Sequence, residues 1–106
     1  RNSHLAKAIG IMQRTIADPI SPTQIAENLG ISSRQLERLF GKLLNTSPKK
    51  YHMEMRLERA RHLLIQTESS ITDVALACGF ESTGHFARVY KSTFGVSPSA
   101  QRNRID

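Results

Sequence analysis

Apolar residues recur at helical spacing along almost the whole chain, and no segment alternates apolar and polar residues as a β-strand does. In the first segment the apolar face ends before Asp18 and Pro19, and it consists of Leu5, Ala8, Ile9, Met12 and Ile16. A longer segment, from about residue 48 to about residue 66, carries Tyr51, Met55, Ala60, Leu63 and Leu64 at spacings that suit one helix. The pattern predicts an all-α protein.

Serine residues mark where most of the predicted helices begin. In the segment that starts at Ser21, the serine can cap the helix, Pro22 takes the first helical position and Gln24 completes a capping box. The segment from Ser32 to Gln35 repeats this capping pattern. Further helix starts are predicted at Ser47, Ser70, Ser82 and Ser97. Together with the first segment they predict about seven helices joined by tight turns.

The chain contains an internal repeat, which indicates two related units rather than one continuous bundle. With an offset of 49, the residues Ile25, Ala26, Leu29, Gly30 and Ile31 match Val74, Ala75, Cys78, Gly79 and Phe80. With an offset of 50, the residues Leu36, Arg38, Leu39, Phe40, Ser47 and Pro48 match Phe86, Arg88, Val89, Tyr90, Ser97 and Pro98. We therefore predict one helical subdomain over residues 1–47, a long connecting helix over 48–66 and a second subdomain over 67–106.

Each copy of the repeat meets the steric demands of a helix-turn-helix. A small residue in the first helix lets the second helix approach, and a glycine at the turn accepts a left-handed backbone. Ala26 and Gly30 satisfy these demands in the first copy, and Ala75 and Gly79 satisfy them in the second. The alternative is a pair of plain helical hairpins in a bundle. That alternative explains one copy more easily than it explains two.

Charge and composition narrow the range of functions that the chain can have. Fifteen Lys and Arg residues against nine Asp and Glu give a net charge of +6, which favours a polyanionic partner such as nucleic acid. Charge alone is equally consistent with a soluble domain that happens to be basic. The chain has neither an apolar run long enough to cross a membrane nor a signal peptide, so we expect a cytoplasmic protein.

Catalytic chemistry has little support in the sequence. Cys78 is the single cysteine and matches Leu29 in the repeat, so we expect a buried, unreactive thiol and no disulfide. The four histidines lack the spacing of metal ligands, and there is neither a phosphate-binding glycine loop nor a nucleophile elbow. We expect no enzymatic activity, no metal and no cofactor. A protein-interaction or RNA-binding module stays open as an alternative, although five of the six aromatic residues fall at predicted core or cap-packing positions rather than on a stacking surface.

The second copy also carries a longer pattern of residues. It comprises Ile71, Asp73, Val74, Ala75, Cys78, Gly79, Phe80, Ser82, Phe86, Arg88, Tyr90, Lys91, Phe94, Gly95, Ser97 and Pro98. In this pattern the chain resembles the DNA-binding domain of the AraC/XylS family of bacterial regulators, and the resemblance extends from the first helix to about Arg102. The family usually has Phe where Tyr90 stands and Tyr where Gln101 stands.

The resemblance implies that the second helix of each copy, about 33–44 and about 83–94, enters the major groove of double-stranded DNA. Two successive groove segments would then be bound, about 34 Å apart, with the connecting helix fixing the spacing. It also implies RNA polymerase as a partner and a preceding sensing or dimerisation domain. Independently of the resemblance, the chain starts at Arg1 and ends after a polar run, so we expect it to be an excised fragment. The segments 56–61 and 75–80 are similar to those of members with an amidotransferase-like sensor.

Candidate base contacts are the polar residues that the apolar face of each second helix leaves exposed. They are Ser33, Arg34, Glu37 and Arg38 in the first copy, and Thr83 and Arg88 in the second. Arginine can bind guanine O6 and N7 with two hydrogen bonds. Glu37 either accepts from a cytosine amino group or orients Arg34 and Arg38. Because Gly84 presents no side chain, we expect the first copy to determine more of the sequence preference.

Candidate phosphate contacts lie mainly at helix N-termini, where free N–H groups and the helix dipole favour anions. They are Ser21, Thr23, Ser32, Lys49, Lys50, Thr72, Ser82, His85 and Lys91. Ser33 and Ser70 are further hydroxyl candidates, and Arg102 and Arg104 are further basic candidates without a specific placement.

Overall fold

The computed structural model describes residues 2–104, and over this range the chain is helical with short connections and without β-strands. The helices are α1 (Ser3–Arg14), α2 (Pro22–Leu29), α3 (Ser33–Leu44), α4 (Pro48–Gln66), α5 (Ile71–Ala77), α6 (Thr83–Phe94) and α7 (Pro98–Arg102). The predicted all-α fold is confirmed. The helix starts predicted from the serines are confirmed as well, because each of these serines accepts a hydrogen bond from the backbone N–H three residues later.

The chain divides into two compact units that meet within α4: the first unit ends at Met53 and the second begins at Glu54. The first unit contains α1, α2, α3 and the start of α4. Its buried apolar side chains are Ala8, Met12, Ile25, Ala26, Leu36 and Phe40. Burial of residues from all three helices supplies the apolar contact that none of these short helices could supply alone.

The second unit contains the rest of α4 together with α5, α6 and α7. Its buried apolar residues are Leu57, Ala60, Leu64, Val74, Ala75, Cys78, Phe80, Phe86 and Tyr90. Cys78 is fully buried with a free thiol, as predicted from its match to Leu29. Burial raises the pKa of this thiol, and nearby Arg59 and Arg56 oppose the rise. The buried thiol therefore acts as a small apolar core residue.

A left-handed glycine lies at the turn of each unit, as the helix-turn-helix interpretation predicted. Gly30 has φ 71° and Gly79 has φ 85°, values that L side chains rarely adopt. After each glycine the chain bonds back to the small residue of the preceding helix, from Ile31 N to Ala26 O at 3.1 Å and from Phe80 N to Ala75 O at 2.9 Å. The two turns are thus built by the same hydrogen bond at matching positions.

The apolar face predicted for α4 is only partly confirmed. Ala60 and Leu64 are buried, but Tyr51, Met55 and Leu63 are half-buried. The pattern missed Leu57 and His52, both of which are buried. In the first unit His52 Nε2 lies 3.0 Å from the Met12 carbonyl oxygen, which can only accept, so Nε2 carries the hydrogen. A single face fails to describe α4 because its beginning packs in one unit and its remainder in the other.

Candidate nucleic-acid interface

The exposed face of α3 carries the four residues predicted to contact bases. Ser33, Arg34, Glu37 and Arg38 are all exposed, whereas Leu36 and Phe40 on the opposite face are fully buried. Successive positions at a spacing of three and four place these side chains on one strip of the helix. The structure therefore presents Arg34 and Arg38 one turn apart on a solvent-facing strip.

The charges on this strip have no partner within the described part of the first unit. The salt bridge that forms among residues 2–104 joins Arg61 to Glu58, and neither belongs to α3. Glu37 therefore makes no ion pair with Arg34 or Arg38, so the structure gives no support to its suggested role of orienting them.

A shallow groove extends the cationic surface of α3 towards the start of α1. Its walls are formed by Asn2, His4, Ile31, Gln35, Arg38, Leu39 and Lys42. His4 was not among the sequence candidates, because it belongs to a separate helix and no local motif links it to Arg38. The groove gathers two cationic side chains and a histidine without a carboxylate.

The N-termini of the two helices in each helix-turn-helix are brought together by a pair of hydroxyl groups. In the first unit Ser33 Oγ donates to Thr23 Oγ1 at 3.4 Å. In the second unit Thr83 Oγ1 donates to Thr72 Oγ1 at 3.5 Å. All four residues are exposed and all four were predicted as DNA contacts from their places in the sequence. The structure groups them into two equivalent pairs, which the sequence alone did not indicate.

The capping serines are already engaged through their oxygen atoms. Ser21 Oγ, Ser32 Oγ and Ser82 Oγ accept from the backbone N–H groups of Gln24, Gln35 and His85. A hydroxyl that accepts can still donate its own hydrogen, so each serine keeps one donor for a phosphate oxygen. In α2 and α3 the glutamine also accepts from the serine N–H at 2.8 Å and 2.9 Å, which completes the predicted capping boxes.

On α6, the candidates Arg88, Lys91 and His85 are exposed. Nη1 of Arg88 lies 3.6 Å from the position that a Cβ atom on Gly84 would occupy, so the guanidinium extends along the first turn of the helix over the missing side chain. Arg88 and Lys91 border an open groove with Ala87, Ser92 and Ser97. The His85 ring lies edge-on to Phe80, with 6.0 Å between the ring centroids. Along its exposed face α6 thus offers fewer charged side chains than α3, namely Arg88 and Lys91 against Arg34, Glu37, Arg38 and Lys42.

Lys49 and Lys50 are exposed in the first turn of α4, where a phosphate could reach them. Arg102, a further basic candidate, is already bound within the second unit. Its Nε donates to Leu64 O at 3.0 Å, its Nη2 to Thr67 O at 3.3 Å, and its Nη1 donates to Ser69 O. The guanidinium of Arg102 therefore satisfies backbone carbonyls at the end of α4 and is not a free phosphate contact.

Two helix-turn-helix units in one basic chain, with arginines along the exposed face of a second helix, define a DNA-binding protein of the helix-turn-helix class. Comparison with known proteins agrees, because residues 25–104 match a family model described as a helix-turn-helix domain. A crystal structure of a transcriptional regulator from Chromobacterium violaceum, with an AraC-type DNA-binding domain, superposes with a TM-score of 0.89 at 46% identity. That similarity covers 93% of this chain and 88% of the other. The chain belongs to the AraC-type helix-turn-helix family.

Two further relatives extend this similarity. The transcriptional regulator ArgR of Pseudomonas aeruginosa is 43% identical over 100 residues, which make up 94% of this chain but 30% of ArgR. The chain thus spans less than a third of the length of this relative. The DNA-binding domain of AdpA, a global transcriptional factor, was solved in complex with a target DNA. It superposes with a TM-score of 0.89 at 25% identity, over 95% of this chain and 91% of that one.

Among residues 2–104, no group of three or more His, Cys, Asp or Glu side chains could hold a metal ion. No helix in that range is both long enough and apolar enough to cross a membrane.

Proposed function

We propose that this chain binds double-stranded DNA sequence-specifically as the C-terminal part of a transcription regulator, with α3 and α6 entering successive segments of the major groove. The observation that carries the proposal is the exposed strip on α3, where Arg34 and Arg38 stand one turn apart without an acidic partner among residues 2–104. The related AdpA domain, solved in complex with a target DNA, supports DNA as the partner. In the cell this function requires access to the chromosome, which in bacteria means the cytoplasm.

In this proposal α3 reads most of the bases. Arg38 and Arg34 each bind a guanine edge, and Glu37 accepts from a cytosine amino group on the same face. Ser33 lies at the first helical position and contacts either the adjacent base edge or its phosphate. Each bidentate arginine contact discriminates against the wrong base by about 1–3 kcal/mol.

We assign α6 a smaller share of the base contacts. Arg88 reads one guanine, and Thr83 packs against a base edge at the start of the helix. His85 and Lys91 flank them and contact phosphates, as does Ser82 through its remaining donor. Phosphate contacts fix the register of the helix on the duplex but carry no sequence information by themselves.

Phosphate contacts in the first unit come from the start of α2 and α3 and from the start of α4. The hydroxyl pair of Ser33 and Thr23 joins the N-termini of α2 and α3, where the helix dipoles favour an anion. The remaining contacts are Ser21, Ser32, Lys49 and Lys50. In the second unit Thr72 takes the place of Thr23.

The full-length regulator is proposed to contain a preceding sensing or dimerisation domain and to contact RNA polymerase. The amidotransferase-like character of that domain stays a prediction from the similarity of short segments.

The test is selection of bound duplexes from a random pool. We expect an asymmetric site with two short blocks of preferred bases about 10 base pairs apart, because two units in one chain would meet successive turns of the groove. A palindromic site, or a single block, would contradict binding by two tandem units. Binding to duplex RNA of the same sequence serves as the control, and equal affinity for RNA and DNA would contradict major-groove reading.

A further inference from the structure

Arg56, on the part of α4 that belongs to the second unit, makes three contacts with the turn between α5 and α6. Its Nε donates to the Cys78 carbonyl at 2.8 Å, and its Nη2 donates to the Gly79 carbonyl at 2.8 Å. The centre of its guanidinium lies 4.4 Å from the centroid of the Phe80 ring. A single side chain therefore binds three consecutive residues of the turn.

The chemistry of this turn suits a guanidinium. Cys78 is the residue that ends α5 and Gly79 is the left-handed glycine, so their carbonyls lie at the negative end of the helix dipole. The planar fork of arginine can bridge two adjacent carbonyls while its face stacks on an aromatic ring. A lysine ammonium could approach one carbonyl but could not reproduce all three contacts.

The contacts of Arg56 continue into α6. The Phe80 ring is buried, and it packs on Phe86 with 5.1 Å between centroids and on His85 with 6.0 Å. Phe86 lies on the buried face of α6, opposite the exposed Arg88. Movement of the turn would thus be transmitted to the helix that carries the proposed DNA contacts of the second unit.

The first unit has no equivalent of this arrangement. Among its described residues, no Lys or Arg side chain donates a hydrogen bond to the carbonyls of Leu29, Gly30 or Ile31. Ile31 is half-buried, whereas Phe80 at the matching position is 3% exposed. The restraint is therefore an addition to the second helix-turn-helix and is not required to make the turn itself.

We propose that Arg56 is a positioning residue for DNA recognition: it holds the turn before α6 so that Arg88 and Thr83 meet the bases, and it does not contact DNA itself. Two of its donor groups are already bound to carbonyls and the side chain is half-buried. Side chains that bind a ligand need support that holds them within about 0.5 Å of the productive geometry. This inference rests on the proposed function, because it assumes that α6 reads bases.

The test compares Arg56→Gln and Arg56→Lys with Arg59→Gln. Arg59 lies three residues further along the same helix and is exposed without a hydrogen bond, so its replacement is matched for lost charge. The first measurement is amide hydrogen exchange of residues 78–90 in the free protein. The second is the ratio of dissociation constants for the selected duplex and for a duplex with the second block scrambled, at one salt concentration and a temperature where all variants are folded.

We expect Arg56→Gln to speed exchange in the turn and the first turns of α6, with little change in the first unit. Discrimination of the second block should fall about tenfold, the factor expected when a hydrogen bond from a charged group is lost. Discrimination of the first block should not change. Arg56→Lys, which keeps the charge and the aliphatic stem, should fall between the wild-type protein and Arg56→Gln, and it decides the question if Arg56→Gln fails to fold. Arg59→Gln should match the wild-type protein in both measurements.

Three results would overturn the proposal. If Arg56→Gln and Arg56→Lys leave exchange in α6 unchanged, Arg56 does not hold the helix. If exchange rises but discrimination of the second block is kept, the restraint supports stability alone. If the variants lose affinity equally for all sequences and the salt slope falls by about 0.9, the value for one phosphate contact, Arg56 touches DNA. If the wild-type protein binds the selected duplex and the duplex with a scrambled second block equally well, the proposed function is contradicted instead. The exchange measurement would still decide whether Arg56 holds α6.

Discussion

The two units share a fold and a repeat, but they use their basic residues differently. The sequence up to Met53 contains eight Lys and Arg against three Asp and Glu, a net +5, whereas the rest contains seven against six, a net +1. In the second unit Arg56 and Arg102 bind backbone carbonyls, and Arg61 lies 5.0 Å from the Phe94 centroid. In the described part of the first unit, no Lys or Arg side chain makes a hydrogen bond, an ion pair or a ring contact.

The two units also differ in how their aromatic rings pack. Four of the rings in the second unit form a continuous row along the buried side of α6, with centroid distances of 5.1, 5.7 and 4.6 Å from Phe80 through Phe86 and Tyr90 to Phe94. In the first unit the rings of Phe40 and Tyr51 lie edge-on to each other, with 5.5 Å between their centroids. The described Lys and Arg side chains of the first unit are thus available to a ligand. In the second unit Arg56, Arg61 and Arg102 contact other groups of the same unit. The predictions below test this division, starting with the largest expected effect.

Phe86→Ala should have the largest effect, because Phe86 is fully buried in the middle of the aromatic row. We expect the free energy of unfolding to fall by about 3–5 kcal/mol, measured by denaturant titration. Leu36→Ala, at the matching position of the first unit, should cost about 2–5 kcal/mol. Footprinting on the selected duplex should show loss of the second block for Phe86→Ala. Equal loss at both blocks would mean that the units are not independent in binding.

Arg38→Ala should weaken discrimination within the first block by about 1–3 kcal/mol, which corresponds to one bidentate guanine contact. Arg88→Ala should weaken the second block by less, because we assign α6 a smaller share of the base contacts than α3. The measurement is the dissociation constant for duplexes with single substitutions in each block. A larger loss for Arg88→Ala would reverse the proposed assignment of the first unit as the main reader.

Tyr90→Phe should lower the stability of the second unit by about 0.5–1.5 kcal/mol, the net contribution of a typical hydrogen bond. The Tyr90 hydroxyl donates to Gln101 Oε1 at 2.9 Å. Tyr90 stands where the family usually has Phe and Gln101 where it usually has Tyr, so the two replaced positions contact each other. A cycle with Gln101→Ala isolates the pair: the double variant should lose less than the sum of the single losses. If the losses of the two single variants simply add, the contact between Tyr90 and Gln101 contributes nothing to stability.

The same hydroxyl group predicts a pH dependence. Burial raises the pKa of Tyr90 to about 12, while the positive charge of Arg61 opposes the rise. Because the folded protein holds the proton more tightly than the unfolded chain, this stabilisation is complete below pH 10 and is lost as the pH rises towards 12. Chemical unfolding across that range should therefore show a decline in the wild-type protein that is smaller in Tyr90→Phe. If stability declines equally with pH in the wild-type protein and in Tyr90→Phe, the Tyr90 hydroxyl lies in a solvated environment.

Local features of the fold could be predicted from the sequence, because their causes lie within a few residues. A serine cap such as Ser32 acts on the backbone three residues away, and a left-handed turn needs its glycine at Gly30 or Gly79. The exposed face of α3 followed from the positions of its apolar residues. Whether Arg38 or Arg88 meets a base stays a prediction, since DNA geometry is not encoded in helix periodicity.

The roles of the arginines in the second unit could not be predicted, since phosphate and backbone carbonyl attract the same guanidinium. Arg56 and Arg102 find their carbonyls 22 and 38 residues away, a separation over which no local pattern acts. Arg102 was accordingly suggested as a phosphate contact. The replacements at Tyr90 and Gln101 were noted separately, and their pairing follows only from the approach of α7 to α6.

The smallest expected effect concerns the first turn of α4, which follows α3, and the first turn of α7, which follows α6. Lys50 N donates to Ser47 Oγ at 3.1 Å, and Ala100 N donates to Ser97 Oγ at 3.1 Å. The two residues therefore occupy the same position in equivalent caps, and both are exposed. Lys50→Ala should lower the slope of log affinity against log salt by about 0.9, one released counterion, and should weaken all sequences by the same factor.

Ala100→Lys supplies the reciprocal experiment, because it gives the second unit the cation that the first unit has. If the units differ only in residue type, this variant should raise the salt slope by about 0.9 without altering base preference, and Lys50→Ala combined with Ala100→Lys should restore the wild-type slope. Ala100→Gln serves as the uncharged control for the longer side chain. If Ala100→Lys leaves the slope unchanged while Lys50→Ala lowers it, the start of α7 lies away from the phosphates. The lower charge of the second unit would then reflect a smaller contact with DNA, and the difference between the units would be one of placement as well as of composition.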